Sequence, residues 1–226
     1  MLYTPSSGSS GGSWSVSGTG QSVTAPEEVP NDKKDDSTTS TPPSSTSEKL
    51  IDISGHWAEA HIESLYSEGI INGKGNGIFA PDDSITRSEF VALIVRVLAV
   101  PSSNTELPFE DVNADDWYVS VLKSALTAGL ISSDTEFRPN VVISREEMAA
   151  ILARSYKWKI PPRDTSGVEL PFTDNKDISQ WALDSVRLAS DLGLINGMSD
   201  GTFAPKSTAT RAQSASVIYR FKELMK

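Results

Sequence analysis

One short phrase is written three times along this chain, and a fold must give all three copies the same local shape. It reads Ile85-Thr86-Arg87-Ser88-Glu89-Phe90, then Ile143-Ser144-Arg145-Glu146-Glu147-Met148, then, with losses, Ala209-Thr210-Arg211-Ala212-Gln213-Ser214. Each copy has the form of a helix start. A Ser or Thr hydroxyl can cap the first turn, and a Glu or Gln three residues on can reach back to the cap residue's own N–H. The Arg is the odd member. It falls at the first helical position, where the peptide dipoles already concentrate positive charge and a cation is unfavourable by a few tenths of a kcal/mol, up to about 1. A compensating partner is expected. It is either a bound anion or an ion pair with Glu89, Glu147 or a nearby Asp, which at a surface contributes only about 0 to 1 kcal/mol.

The phrase sits inside a longer repeat, and this recurrence sets the domain organisation. Units start near Ile51, Phe109 and Phe172. Each opens with an Asp (Asp52, Asp111, Asp174), followed shortly by a Trp (Trp57, Trp117, Trp181) and an amphipathic stretch. In the second unit Trp117, Val121, Leu122, Ala125 and Leu126 would mark one helical face. The stretch stops at Gly69, Gly129 and Gly193, each followed by an apolar pair that can fold back on the helix. Next come a loop, an aromatic and a proline: Phe79 and Pro81, Phe137 and Pro139, Phe203 and Pro205. The loop is glycine-rich in unit one (Gly73, Gly75, Gly77) and unit three (Gly197, Gly201), and two residues shorter in unit two. The capped Arg then begins a second helix, with Phe90, Leu93, Ile94 and Val97 as its apolar face in unit one. The units divide as residues 51–104, 105–165 and 166–226. Two short helices bury too little surface to stand alone, so the three units should share one core. An odd number suits a closed, pseudo-threefold arrangement.

Residues 1–50 are Ser, Thr, Gly and Pro with a charged patch, Asn31 to Asp36, and read as a disordered tether. Trp14 is its one large aromatic and reads as an incidental linker residue. The net charge of -10 and a pI near 4.7 argue against nucleic-acid binding, which needs a basic face. An anionic ligand would have to be met by local Arg groups. The chain has no cysteine, which removes disulfides, thiolate metal sites and cysteine nucleophiles. No apolar run approaches the roughly 20 residues of a spanning helix, so membrane insertion is not expected. Met1 is not followed by a basic and then apolar leader. An exported protein needs such a leader, so if this one is exported the expectation is a C-terminal fragment with a further domain N-terminal to this chain.

Taken together, Trp-Ala (Trp57-Ala58, Trp181-Ala182), Gly-Ile-Ile-Asn-Gly, Asn/Asp-Gly-x-Phe-x-Pro and Ile-Thr-Arg-x-Glu-Phe resemble the surface-layer homology (SLH) domain, and the likeness covers all three units. The resemblance implies an all-α pseudo-trimer, with the Arg-bearing helices in a central three-helix bundle and grooves between adjacent lobes. It also implies an extracellular place in the cell wall or S-layer. There the chain would anchor a protein non-covalently by binding secondary cell-wall polymer whose terminal sugar carries a pyruvate ketal. The family's ligand contacts would fall on Arg87, Arg145 and Arg211, on Asp52, Asp111 and Asp174, on Trp57, Trp117 and Trp181, and on Gly73, Gly77, Gly197 and Gly201. From the residues alone, the aspartates could equally fix the turn before the first helix, and the tryptophans could pack, contact ligand, or both. The shortened unit-two loop predicts unequal grooves.

Other chemistry is poorly supported. Gly73-x-Gly75-x-Gly77 lacks the Lys-Ser/Thr ending of a phosphate loop. The Asn/Asp-Gly pairs lack the spacing and distal Glu of a calcium loop. His56 and His61 have no counterparts in the other units. No nucleophile, base and orienting group form a set, so neither an enzyme nor a cofactor is expected. Two other functions fit the same residues: a helical protein-interaction scaffold, and the accessory C-terminal region of an envelope hydrolase whose catalytic domain lies elsewhere.

Overall fold

The computed structural model of the chain describes residues 49–161 and 163–226; the expected tether over residues 1–48, with Trp14, lies outside them. Leu50, placed by composition at the end of the tether, is buried against the core. Among the described residues every regular element is helical. Repeat one gives α1 (Glu59–Ser67) and α2 (Arg87–Leu98), repeat two α3 (Val119–Thr127) and α4 (Arg145–Lys159), repeat three α5 (Leu183–Asp191) and α6 (Arg211–Leu224). A single 3-10 turn, Asn175–Asp177, precedes α5.

The second helix of each repeat starts where the sequence predicts. Thr86, Ser144 and Thr210 accept hydrogen bonds from the N–H groups of Glu89, Glu147 and Gln213, whose side chains accept from the cap residues in return. Gln213 closes its box as Glu does. The first helices have no side-chain cap, and each ends at a glycine with φ of +65° to +69°. The next N–H then reaches back to close the turn, Ile70 to Leu65 O, Leu130 to Ala125 O and Leu194 to Ala189 O, each at 2.9 Å. That is the left-handed stop a glycine supplies without steric cost.

The helices do not pair within repeats. α1 packs on α6, α3 on α2 and α5 on α4, and α2 also touches both α4 and α6. Every first helix therefore lies against the second helix of another repeat, and one apolar core runs through all three. Phe79, Phe90, Phe203 and Phe221 are fully buried within it, each contributing on the order of 1.5–3 kcal/mol of transfer free energy. Trp117 is a correction to the expected helical face. It lies in the turn before α3 and is 53% exposed, while Leu122 and Ala125 face the core.

Where the repeats meet, short β-like pairs form. Ser84 pairs with Thr210, Thr86 with Val142, and Ser144 with Thr208. Between them runs a closed circuit of backbone hydrogen bonds: Ile85 N–H to Ala209 O at 3.2 Å, Ala209 N–H to Ile143 O at 3.1 Å, and Ile143 N–H to Ile85 O at 3.1 Å. The free N–H groups of the next residues go to the neighbouring repeat as well. Arg87, Arg145 and Arg211 donate to Val141, Ser207 and Asp83 carbonyls, and Ser88, Glu146 and Ala212 to the carbonyls of Pro139, Pro205 and Pro81. With the third N–H on the cap, the orphan donors of each helix start are paired within the protein.

The third copy of the motif carries a defect inside this core. Phe90 and Met148 are replaced there by Ser214, which is fully buried with its hydroxyl unpartnered. Ser214→Ala is expected to stabilise the fold by about 1 kcal/mol by removing a desolvated hydroxyl. That corresponds to a rise of roughly 2–4 °C in the melting midpoint of a domain this size. An unchanged or lower midpoint in a thermal melt followed by circular dichroism refutes it.

Candidate binding grooves

Each aspartate that opens a repeat is a local clamp. Asp52 accepts from Phe79 N–H at 2.9 Å and Ala80 N–H at 2.6 Å. Asp111 does the same with Phe137 and Arg138, and Asp174 with Phe203 and Ala204. The second residue of each pair is left-handed, with φ of 58°, 58° and 53° at Ala80, Arg138 and Ala204. Non-glycine residues hold that conformation only under constraint, and the carboxylate supplies it. Burial opposes ionisation of Asp52, but the N–H groups of Phe79 and Ala80, with the charge of Arg211, hold its carboxyl below the usual range.

The phenylalanine so fixed receives an arginine from another repeat. Arg211 stands 4.5 Å from the centre of the Phe79 ring, Arg145 5.1 Å from Phe203 and Arg87 5.7 Å from Phe137. Arg211 also donates from Nε to Phe79 O at 2.8 Å and from Nη2 to Asn72 O at 3.0 Å. Arg145 repeats this with Phe203 O and Asn196 O, both at 2.7 Å. Arg87 differs: its Nη2 pairs with Glu147, which also takes Arg138 at 3.3 Å. Burial lowers the pKa of all three guanidinium groups from the usual Arg value, offset chiefly by Glu147 at Arg87, Asp174 at Arg145 and Glu89 at Arg211. All three therefore stitch repeat to repeat. Because the backbone donors at the helix starts are already paired, an anion in a groove would meet guanidinium groups rather than the helix terminus.

The loop glycines are required by the loops themselves. A Cβ on Gly73 would lie 2.8 Å from Ile78 O, and one on Gly197 2.9 Å from the Phe172 ring. Gly77 and Gly201 have positive φ. The tryptophans carry the opposite signal. Trp57, Trp117 and Trp181 are 63%, 53% and 58% exposed, so packing does not explain them.

Of the residues expected from sequence, Gly73, Trp117 and Arg211 come together in a groove of about 220 Å³. Asn72, Gly73, Lys74 and Phe79 of repeat one form one wall, Glu89, Leu93 and Arg96 of α2 another, and Trp117 of repeat two and Arg211 of α6 complete it. A second groove, beside the shortened loop, holds Arg87, Ser132, Asp134, Arg138 and Arg154 and measures only about 50 Å³. The expected inequality of grooves is thus visible in their volumes. Arg96 and Arg154 were not anticipated. They belong to a second recurrent arginine, one turn-set further along each Arg-started helix and completed by Arg220, whose regular spacing from Arg87, Arg145 and Arg211 was present in the sequence. Arg96 and Arg220 bond the carbonyls of Ile70 and Leu194, each at 3.1 Å.

A family model of the S-layer homology domain matches the chain three times, at residues 52–91, 108–149 and 171–215. Similar stretches occur in an amylopullulanase of Thermoanaerobacterium thermosulfurigenes, 39% identical over 76% of this chain and 9% of that protein, and in the exoglucanase XynX of Acetivibrio thermocellus, 38% identical over 76% and 16%. An S-layer protein of Bacillus thuringiensis subsp. finitimus is 28% identical over 72% of the chain and 20% of its own length. The chain thus spans a fifth or less of these relatives, and the enzymes match it only through their S-layer homology stretch. It belongs to the S-layer homology domain family, a class of cell-surface anchoring modules.

Asp52→Asn tests the clamp. The amide's NH2 would face a backbone N–H, so one bond is lost and a donor is left opposed, for an expected loss of roughly 1 kcal/mol at this half-exposed site. The folded carboxyl is the stronger acid, so its contribution is complete above the ordinary carboxylate range and disappears as pH falls through the folded value. The difference between wild type and variant in urea denaturation should therefore be present at neutral pH and shrink in acid. A difference that grows in acid refutes the clamp.

Proposed function

We propose that this chain is an anchoring module that attaches a protein to the bacterial cell wall by binding pyruvylated secondary cell-wall polymer in grooves between repeats. The observation that carries this is the recurrence, in a member of this family, of an arginine over a clamped phenylalanine, together with an exposed tryptophan in every repeat. The architecture we propose is a pseudo-threefold trimer with α2, α4 and α6 as a central bundle; the hydrogen-bond circuit and the exchange of helices between repeats favour it.

A sugar bearing a ketal carboxylate suits such a groove. The guanidinium supplies a charge-assisted contact, the indole face covers the apolar side of the ring, and loop carbonyls accept hydroxyl protons. Arg87, Arg145 and Arg211 are the candidate anion contacts, and Trp57, Trp117 and Trp181 the candidate sugar platforms. Asp52, Asp111 and Asp174, with Gly73, Gly77, Gly197 and Gly201, shape the loops that present them. No metal, cofactor or nucleic acid takes part. The module would sit in the extracellular wall, its cargo joined through the segment preceding residue 49. A second reading, the accessory region of an envelope hydrolase, is favoured by the enzyme relatives, which share only this stretch.

Adsorption to purified wall glycan tests the reading. Because Trp117 is half exposed, Trp117→Ala should leave the melting midpoint within about 1 °C and weaken adsorption about tenfold, the equivalent of roughly 1.4 kcal/mol. Chemical removal of the ketal should abolish adsorption, and undiminished binding to the stripped polymer sinks the carboxylate part.

A further inference from the structure

Resting on that glycan reading, we infer that the chain holds one working glycan site, the repeat-one groove, and that Arg96 on α2 acts there with Arg211 to select the carboxylate. The three grooves recur in sequence but are not equivalent in structure. In the second, Arg87 is already ion-paired with Glu147, Arg138 competes for the same carboxylate, and the groove measures only about 50 Å³. At the third, Arg145 is 7% exposed with its Nε and Nη2 on loop carbonyls, so a ligand would have to open the protein to reach it.

The repeat-one groove differs in its size and in the exposure of its arginine, although Arg211 places Nε and Nη2 on Phe79 O and Asn72 O as Arg145 does on its own loop carbonyls. Its volume of about 220 Å³ is below the roughly 300 Å³ where pockets for drug-sized ligands begin, which suits a single terminal sugar rather than a length of chain. Arg211 is only partly buried, and among the described residues it has no ion pair within bonding distance. The carboxylates nearest it are otherwise engaged: Glu89 on Thr86 N–H, Asp52 on Phe79 and Ala80 N–H, and Asp83 on Lys74. Arg96 lines the same groove, is exposed, and uses Nη1 on a single carbonyl, so the rest of its guanidinium faces the ligand space. Two guanidinium groups and the Trp117 face thus share one wall-to-wall space. The site draws its residues from all three repeats, with the decisive Arg211 coming from the most degenerate copy of the motif.

The equivalent positions on α2 and α4 make a matched pair of variants. Titration calorimetry on the full chain would use the methyl glycoside of an N-acetylhexosamine carrying a pyruvate ketal, and its methyl ester as the uncharged control. The expected stoichiometry is one. Arg96→Gln should weaken the acid form about tenfold, as loss of one charge-assisted contact does, and leave the ester's weak binding unchanged. Arg154→Gln should change neither. Melting curves confirm that both variants are folded; both positions are helical and take no part in the circuit of Ile85, Ile143 and Ala209. A stoichiometry of two or three overturns the inference and leaves the glycan reading standing, as does equal weakening by the two variants or none by Arg96→Gln. Absence of binding by the wild type to the acid form overturns the glycan reading and this inference with it.

Discussion

Three backbone hydrogen bonds, linking Ile85, Ala209 and Ile143 in a closed circuit, join the three repeats directly. They hold the three helix starts at one place, and so determine which loop each arginine meets. Any slip at one member would separate an arginine from its phenylalanine in another repeat, because Arg211 belongs to repeat three and Phe79 to repeat one. Buried backbone groups that lose partners are costly, so the circuit tolerates little adjustment.

The parts of this fold that were legible beforehand are local in the chain. The boxes at Thr86, Ser144 and Thr210 and the glycine stops at Gly69, Gly129 and Gly193 depend on contacts a few residues apart, and the structure has all of them. Contacts between distant residues were not legible. Nothing in the order of residues says that α1 packs on α6, or that the first helical N–H of Arg87 is taken by Val141 O. The tryptophans show the same boundary. Helical spacing placed Trp117 on the core face of its helix, but α3 begins two residues later and the indole is left in solvent. Arg96 was overlooked for the opposite reason, since a basic residue on an apolar helix looks like an ordinary solvated face until the groove beside it is seen.

The arginines answer the question their position raised. A cation at a helix start was expected to find either an anion or an ion pair, and the chain uses both a third solution and one of those two. Arg145 and Arg211 turn to backbone carbonyls of the neighbouring loop, while Arg87 takes Glu147. The difference follows the loop. In repeats one and three a hairpin-like turn, closed by Lys74 N–H to Ile78 O and Met198 N–H to Thr202 O at 2.7 Å, precedes the phenylalanine whose carbonyl receives the guanidinium. Repeat two is two residues shorter there, and the arginine that meets its loop, Arg87 of repeat one, pairs with Glu147 instead.

Exchange of first helices between repeats also separates this chain from linear stacked-repeat proteins. In a linear array each unit contacts its neighbours, the two ends need caps, and stability is approximately a sum over units. Here α1 lies on α6, so the first and last repeats are neighbours. Removing one repeat would not shorten an array; it would leave one helix without its packing partner on each side and expose Phe79 or its counterparts. The repeat is therefore a unit of sequence rather than of folding. Degeneration of the third copy, with Ala209, Gln213 and Ser214 in place of the fuller motif, is tolerated because the circuit needs only backbone from Ala209 and the cap needs only an acceptor from Gln213. In that copy Arg211 belongs both to the joint between repeats, through its backbone N–H on Asp83 O, and to the repeat-one groove, through its guanidinium.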